Sequence, residues 1–253
     1  EHCLTGHMSL CVSPETKRGP DDEPRLTTPN GPMMQYLNLS SFAEQMLIHE
    51  HACVAIRKDM PLDRAALIGC SVMTGVGAVM HTSSVRPGDT VAVIGCGGVG
   101  LSAINGAAIA GAGRIIAIDV VAGKENFARA FGATDFVNAA DTDPVKAVTE
   151  LTKGGVQHSF EVLGLTKTAE QAFDMLRRGG TANIIGMIPV GQSISLTGWA
   201  FLGEKRIQGS MMGSNRFPVD MPRLVDMYMA GKLKLDEMIS RRLKLEEVND
   251  AFA

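Results

Sequence analysis

The 253-residue chain sets 24 Lys and Arg against 27 Asp and Glu, for a net charge of −3, and 45% of it is apolar. Mixed charge of this kind leaves no polybasic footprint for nucleic acid or anionic lipid, while the apolar content is ample for a buried core. Five cysteines, scattered at 3, 11, 53, 70 and 96, lack the density of a secreted disulfide scaffold and fit a reducing cytoplasm.

Reading along the chain, EHCLTGHMSLC sets Cys3 and Cys11 eight positions apart, with no nearby cysteine to complete a cluster. Residues 14–32 hold five prolines and two glycines among mixed charges, which predicts an irregular surface loop. SSFAEQMLI then predicts a short strand. His49, His51 and Cys53 would share one face of a strand, but neighbours on that face lie about 7 Å apart, too far to converge on one ion. They are read as ordinary strand-end residues, and His81 and His158 as packing or surface groups.

Residues 90–113 carry no charge and are long enough to cross a bilayer. The run is broken, however, into TVAVI, GCGGVG and LSAINGAAIAGAG, the pattern of a buried strand, a tight turn and a small-residue helix. No membrane span is expected. Compact strands then alternate with amphipathic helices: RIIAID and a helix at Glu125–Phe131, DFVNA and Pro144–Thr152, HSFEVLG and a helix over 167–178, and TANIIGM. RIQGSMM is the sixth strand, followed by a helix with Asp220 as its N-cap and Gly231 just past its end. A last amphipathic pattern, LEEVNDAFA, runs to Ala253 without a capping residue. Strand-helix alternation at this spacing predicts right-handed crossovers and a six-stranded parallel sheet, an α/β doubly wound fold.

Gly95, Gly97 and Gly100 form G-x-G-x-x-G between strand and helix, with Gly98 and Val99 inside the motif and Asp119 19 residues beyond it. In that context the glycines serve a tight turn, close approach to a pyrophosphate and helix-sheet packing. Asp119 can accept both ribose hydroxyls but would lie near a 2′-phosphate. Two unit charges about 4 Å apart repel by up to ~4 kcal/mol at an effective dielectric of about 20, so NAD is expected over NADP. Lys124 is either within reach of the same ribose or a solvated lysine at a helix start. Cys96 sits near a helix N-terminus, where thiol pKa values fall, or is a small packing residue.

With the fingerprint located, LIGCSVMTGVGAV upstream, SFEVLG downstream and Cys-x7-Cys at the start fall in family order. The chain resembles the zinc-dependent medium-chain alcohol dehydrogenases over essentially its whole length. The proline-rich loop is similar to that of the class I and class III enzymes. The resemblance implies a Rossmann NAD-binding domain over 72–211, and a partial GroES-like catalytic domain from 1–71 and 212–253. Cys3 and Cys11 would then be the last two ligands of a four-cysteine structural zinc lobe at 1–11, with His2 and His7 only improvised substitutes. Cys70 would be a catalytic zinc ligand, and Thr74 would lie against the nicotinamide, unless it is a simple helix-interior threonine. Val99 would contact the nicotinamide, and backbone groups of Ile185, Ser210 and Met212 would hold its carboxamide.

The remaining catalytic ligands and the proton relay would precede Glu1, and a phosphate-binding basic residue would follow Ala253. The function so implied is zinc-requiring, NAD-dependent oxidation of alcohols to aldehydes or ketones by a cytoplasmic homodimer or homotetramer. Zinc acts in such a site as a Lewis acid on the alcohol oxygen. A thiol-dependent formaldehyde dehydrogenase is the nearest alternative, and a truncated, non-catalytic NAD-binding chain an alternative of another class.

Overall fold

The structure, a computed structural model, describes residues 1–12, 22–35 and 39–252. Its centre is a six-stranded parallel sheet. In chain order the first two strands, β1 (Leu26–Thr28) and β2 (Gly31–Met33), form a separate antiparallel pair. The sheet proper is built from β3 (Thr90–Ile94), β4 (Arg114–Asp119), β5 (Asp135–Asn138), β6 (Val156–Glu161), β7 (Leu176–Ile184) and β8 (Arg206–Gly209). Their spatial order is β5-β4-β3-β6-β7-β8, with every neighbouring pair parallel. The order reverses between β3 and β6, and the crevice at the carboxyl ends of these two strands is where such folds take a ligand.

Both faces of the sheet are covered. Val91 and Val93 of β3 point to one side and pack with Ala103, Ile104 and Ala107 of α3 (Gly98–Ile109) and Phe131 of α4 (Glu125–Phe131). Ala92 and Ile94 alternate to the other side, against Val148 of α5 (Pro144–Thr152) and Phe173 of α6 (Thr166–Asp174). Strands buried on both faces read as near-continuous β-branched runs, as TVAVI does. Asp143 caps α5 by accepting from the backbone of Val145 and Lys146 at 2.8 and 3.2 Å, with Pro144 fixed at the first helical position.

Upstream of the sheet runs one helix, Leu62–Thr82, apolar and long enough to cross a membrane by length and composition, yet half buried inside the fold. Two wider turns, at Ile68–Val72 and Ala78–Thr82, interrupt its α-helical pieces Leu62–Leu67 and Met73–Gly77. A third core cluster joins Ile68, Val72, Met73 and Val76 of this helix to Leu224 and Val225 of α7 (Phe217–Met229) and to Leu233 and Leu235.

A polar seam ties the amino-terminal half of the sheet. Asp89 meets His158 Nε2 at 3.1 Å and accepts from Gln157 at 2.8 Å, while His158 Nδ1 meets the Ser83 hydroxyl at 2.7 Å. Gln157 in turn accepts from the backbone and hydroxyl of Thr90. Burial lowers the pKa of His158 against the pull of the Asp89 hydrogen bond and charge, which favours the neutral ring.

Six local expectations differ from the structure. Part of the proline-rich segment is regular: Thr27 and Thr28, extended by their β-branching, turn back through Pro29 and Asn30, and Gly31 takes φ +115° to re-enter the hairpin. Residues 14–21 of that expectation lie outside the described residues. SSFAEQMLI forms no strand, because residues 41–47 are exposed and, among the described residues, none pairs with them in a ladder. His49–Cys53 is not a strand either. Glu50–Ala52 is a tight helical turn in which His49 Nδ1 accepts from the His51 backbone at 3.1 Å.

The helix expected over 167–178 ends at Asp174, because residues from Leu176 enter β7, whose register with β6 shifts between Leu176 and Thr181. Asp220 is not an N-cap. The helix begins at Phe217, and the Asp220 carboxylate reaches back to the Arg216 backbone N–H at 2.7 Å. The last pattern forms only a short turn at Leu245–Glu247.

Candidate functional site

The glycine motif occupies the switch point. Gly95 leaves β3 at φ +105° while its N–H reaches Ile118 of β4 at 2.8 Å, so the chain turns sharply without losing its sheet contact. A Cβ on Gly100 would stand 1.8 Å from the Gly95 carbonyl oxygen, whereas one on Gly97 would meet nothing within 4 Å. The first pair therefore packs helix on strand. Gly97 instead leaves an open backbone face at the N-terminus of α3, where a pyrophosphate can approach the amide groups and the helix dipole.

Asp119 ends β4 at the rim of this crevice, only 7% exposed. Its Oδ2 accepts from the Cys96 backbone at 2.8 Å and from Lys124 Nζ at 3.1 Å, and its Oδ1 from the Val121 backbone at 3.0 Å. Burial opposes its charge, but these donors outweigh that and hold its pKa below the usual carboxylate value. Lys124 is thus an ion-pair partner of Asp119. The Cys96 thiol goes the other way: burial, with the Asp119 charge beside it, pushes its pKa up to about 12. Of the two readings of Cys96, the packing residue holds. Val120, Val121, Leu163 and Leu165 stand exposed at the ends of β4 and β6, apolar surface open to a ligand ring.

A second cluster forms where the long helix meets the segment after β8. The Thr74 hydroxyl faces Met212 Sδ at 3.7 Å, and the Thr82 hydroxyl lies 2.8 Å from the hydroxyls of both Ser210 and Ser214. Asn215 donates to the carbonyls of Met73 and Met212, which fastens this segment to the helix and holds Met212 at φ +49°. Gly98 lies against Ser71, its would-be Cβ 3.4 Å from the Ser71 Cβ, so the helix turn carrying Cys70 adjoins the glycine motif. Ile185 follows β7, its N–H held by the Glu161 carbonyl at 2.9 Å. Gly95, Gly97, Gly98, Val99, Gly100, Asp119 and Lys124 thus gather at one end of the sheet, and Thr74, Ser210 and Met212 gather beside the adjoining helix.

The metal-ligand candidates are not brought together in the same way. Cys70 is exposed, and among the described residues no group of three or more His, Cys, Asp or Glu side chains is placed to hold a metal ion. A tetrahedral protein site needs three or four such donors, so the residues described do not by themselves fit a zinc ion. Cys3 and Cys11 lie in the N-terminal turn, and a hydrogen bond between the two thiols raises the Cys3 pKa. They are a pair of adjacent donors, half of a tetrahedral set.

Sequence reasoning missed Glu161, Thr82, Ser214 and Asn215. Only Glu161 left a legible trace, an acidic residue closing the apolar strand HSFEVLG.

Comparison with known proteins agrees with this geometry. Residues 98–228 match the family described as zinc-binding dehydrogenase. The S-(hydroxymethyl)glutathione dehydrogenase of Saccharomyces cerevisiae is 37% identical over 99% of this chain and 68% of its own length. The crystal structure of benzyl alcohol dehydrogenase from Acinetobacter calcoaceticus superposes with a TM-score of 0.90 at 30% identity, over 99% of this chain and 69% of that one. A zinc-binding dehydrogenase structure from Sinorhizobium meliloti 1021, bound to NADP, superposes with a TM-score of 0.80 at 28% identity, over 99% and 68%. Sequence, sheet order and glycine motif agree, and the chain belongs to the zinc-dependent medium-chain alcohol dehydrogenase family.

Proposed function

We propose that this chain carries the NAD-binding Rossmann domain, over residues 72–211, and part of the catalytic domain of a zinc-requiring enzyme. That enzyme oxidises alcohols reversibly to aldehydes or ketones. The observation that carries the reading is the pairing of Asp119 with the open amide face at Gly97. A charged carboxylate, anchored by two backbone N–H groups, stands where an adenosine ribose would lie if its pyrophosphate sat on α3. The same charge disfavours a 2′-phosphate, so NAD is preferred over NADP even though one structural relative was solved with NADP. On this reading the nicotinamide end lies beside Thr74, Val99, Ile185, Ser210 and Met212. In the family, zinc polarises the alcohol oxygen; Cys70 is the residue here that would belong to that site. What the residues of this chain supply is the position of the dinucleotide and a dry floor of packed helix beneath it.

Fluorescence titration with NADH and NADPH tests the reading. NADH should bind and NADPH should bind at least about tenfold more weakly; equal affinities sink the NAD assignment. Little or no NADH formation from ethanol is expected of the 253-residue chain, since its described residues gather no three-donor zinc site. A second reading, oxidation of the thiol adduct of formaldehyde, draws support from the Saccharomyces relative's name. Assays of the parent enzyme with benzyl alcohol and with formaldehyde plus glutathione separate the two. A cytoplasmic homodimer or homotetramer belongs to the same proposal. None of the five cysteines is in a disulfide, which suits a reducing compartment, and edge strand β8 is preceded by exposed apolar residues.

A further inference from the structure

Glu161 is the last residue of β6 and has no exposed surface at all. Its backbone carbonyl accepts from Ile185 at 2.9 Å and Gly186 at 3.0 Å. Its carboxylate Oε1 accepts from the backbone of Leu163 and Gly164, both at 2.9 Å, and from the Thr168 hydroxyl at 2.7 Å. Oε2 is buried without a hydrogen-bond partner. Donors from the loop after β6, the loop after β7 and helix α6 therefore all end on one residue. The two loops touch backbone to backbone beside it: a Cβ on Gly186 would lie 2.0 Å from the Gly164 nitrogen and 2.6 Å from Glu161 Oε2. Gly164 holds φ +82° at that contact.

A carboxylate is a costly way to fill a core, since burying its charge is expensive and an orphaned oxygen adds to that cost. A residue needed only for packing would be apolar here, like Phe160 before it. The arrangement gains geometry instead, because charge-assisted hydrogen bonds fix direction as well as distance. What they fix is the 163–164 turn and, through its close backbone contact with Gly186, the loop that carries Ile185.

We infer that Glu161 is a positioning residue for the nicotinamide half of the dinucleotide. It clamps the 163–164 turn against Ile185 and Gly186, and so holds the Ile185 backbone in the orientation a carboxamide needs. The inference rests on the dinucleotide reading above. It makes a demand that a purely structural strut does not. Loosening the clamp should weaken binding of the nicotinamide end while leaving the adenosine end, seated on Gly97 and Asp119, unaffected.

The experiment compares NADH with ADP-ribose, which lacks the nicotinamide, on the full 253-residue chain carrying Glu161→Gln, Thr168→Val or Thr168→Ser. E161Q should bind NADH about tenfold more weakly and ADP-ribose within about twofold of wild type, with the emission shift of bound NADH reduced. T168V, which removes one donor and leaves the carboxylate, should move NADH in the same direction by less, and T168S should restore it. Equal weakening of both ligands, or unchanged NADH affinity, overturns the role. If E161Q fails to fold, the Thr168 pair makes the same comparison and T168V with equal losses is decisive against it. A wild-type chain that binds neither ligand overturns the dinucleotide reading itself, whereas one that binds both, with no differential response in the variants, overturns only the role of Glu161.

Discussion

Asp119 and Cys96 are neighbours whose protons respond in opposite directions to one buried corner. The carboxylate collects three donors and stays charged; the thiol, with that charge beside it, is held neutral. Because the folded pKa of Asp119 lies below its model-compound value of 3.8, its contribution to stability is complete above that pH. It is lost as pH falls through the lower folded value. Urea midpoints of wild type and D119N should therefore differ most near neutrality and converge in acid below about pH 3.8. The same variant should bind NADH about tenfold more weakly and narrow the gap to NADPH; an undiminished preference would remove Asp119 from the ribose site. For Cys96, iodoacetamide at pH 8 should label the exposed Cys53 and Cys70 while leaving Cys96 untouched until the chain is denatured. Native labelling of Cys96 would contradict its burial.

At the level of the element, the strand, turn and helix around Gly95–Gly100 form a single mechanical piece. Gly100→Ala pushes a methyl group to 1.8 Å from the Gly95 carbonyl, so helix and strand must separate. Overpacking of this kind costs about 1–3 kcal/mol, readable in urea unfolding, and NADH binding should be lost along with it. Retained affinity would mean that the turn is looser than its contacts imply. This element was legible in the sequence because its glycines and its β-branched run act locally, and α4 and α5 were legible through their amphipathic spacing. SSFAEQMLI was not, because a strand exists only when another strand completes its hydrogen bonds, and composition does not reveal a missing partner. The hairpin at Leu26–Met33 failed in the opposite sense: proline and glycine density marked a loop, and the loop contained a paired turn. Glu161 stayed hidden for a related reason, since its importance lies in which distant amides reach it.

For the molecule as a whole, the parallel sheet explains why residues so far apart in sequence meet. Every β-strand of the sheet delivers its carboxyl end to the same side, which brings Gly95, Asp119, Glu161, Ile185 and Ser210 to one rim. The class of the sheet followed from the alternating pattern, while its strand order and the joining of that rim to the Cys70–Thr74 helix depend on tertiary contacts such as Asn215 to Met73. Among the described residues no strand pairs with the outer flank of the edge strand β8, and Met187, Val190, Trp199 and Leu202 are exposed in the segment leading to it. Apolar exposure of that kind marks an association surface. Sedimentation should find the wild-type chain self-associated and Trp199→Glu shifted toward monomer; a monomeric wild type would remove that surface from the proposal.

The seam of Ser83, His158, Asp89, Gln157 and Thr90 lies in the opposite, amino-terminal half of this sheet. A one-way sheet has two poles with separate duties, one presenting backbone to a ligand and the other latched shut by a network of side-chain hydrogen bonds. The latched pole is therefore the handle of the molecule. A dye, a tether or a solid support fixed to the exposed residues beside it, Ser84 or Arg86, would report on or restrain the protein without entering the crevice where the dinucleotide is expected.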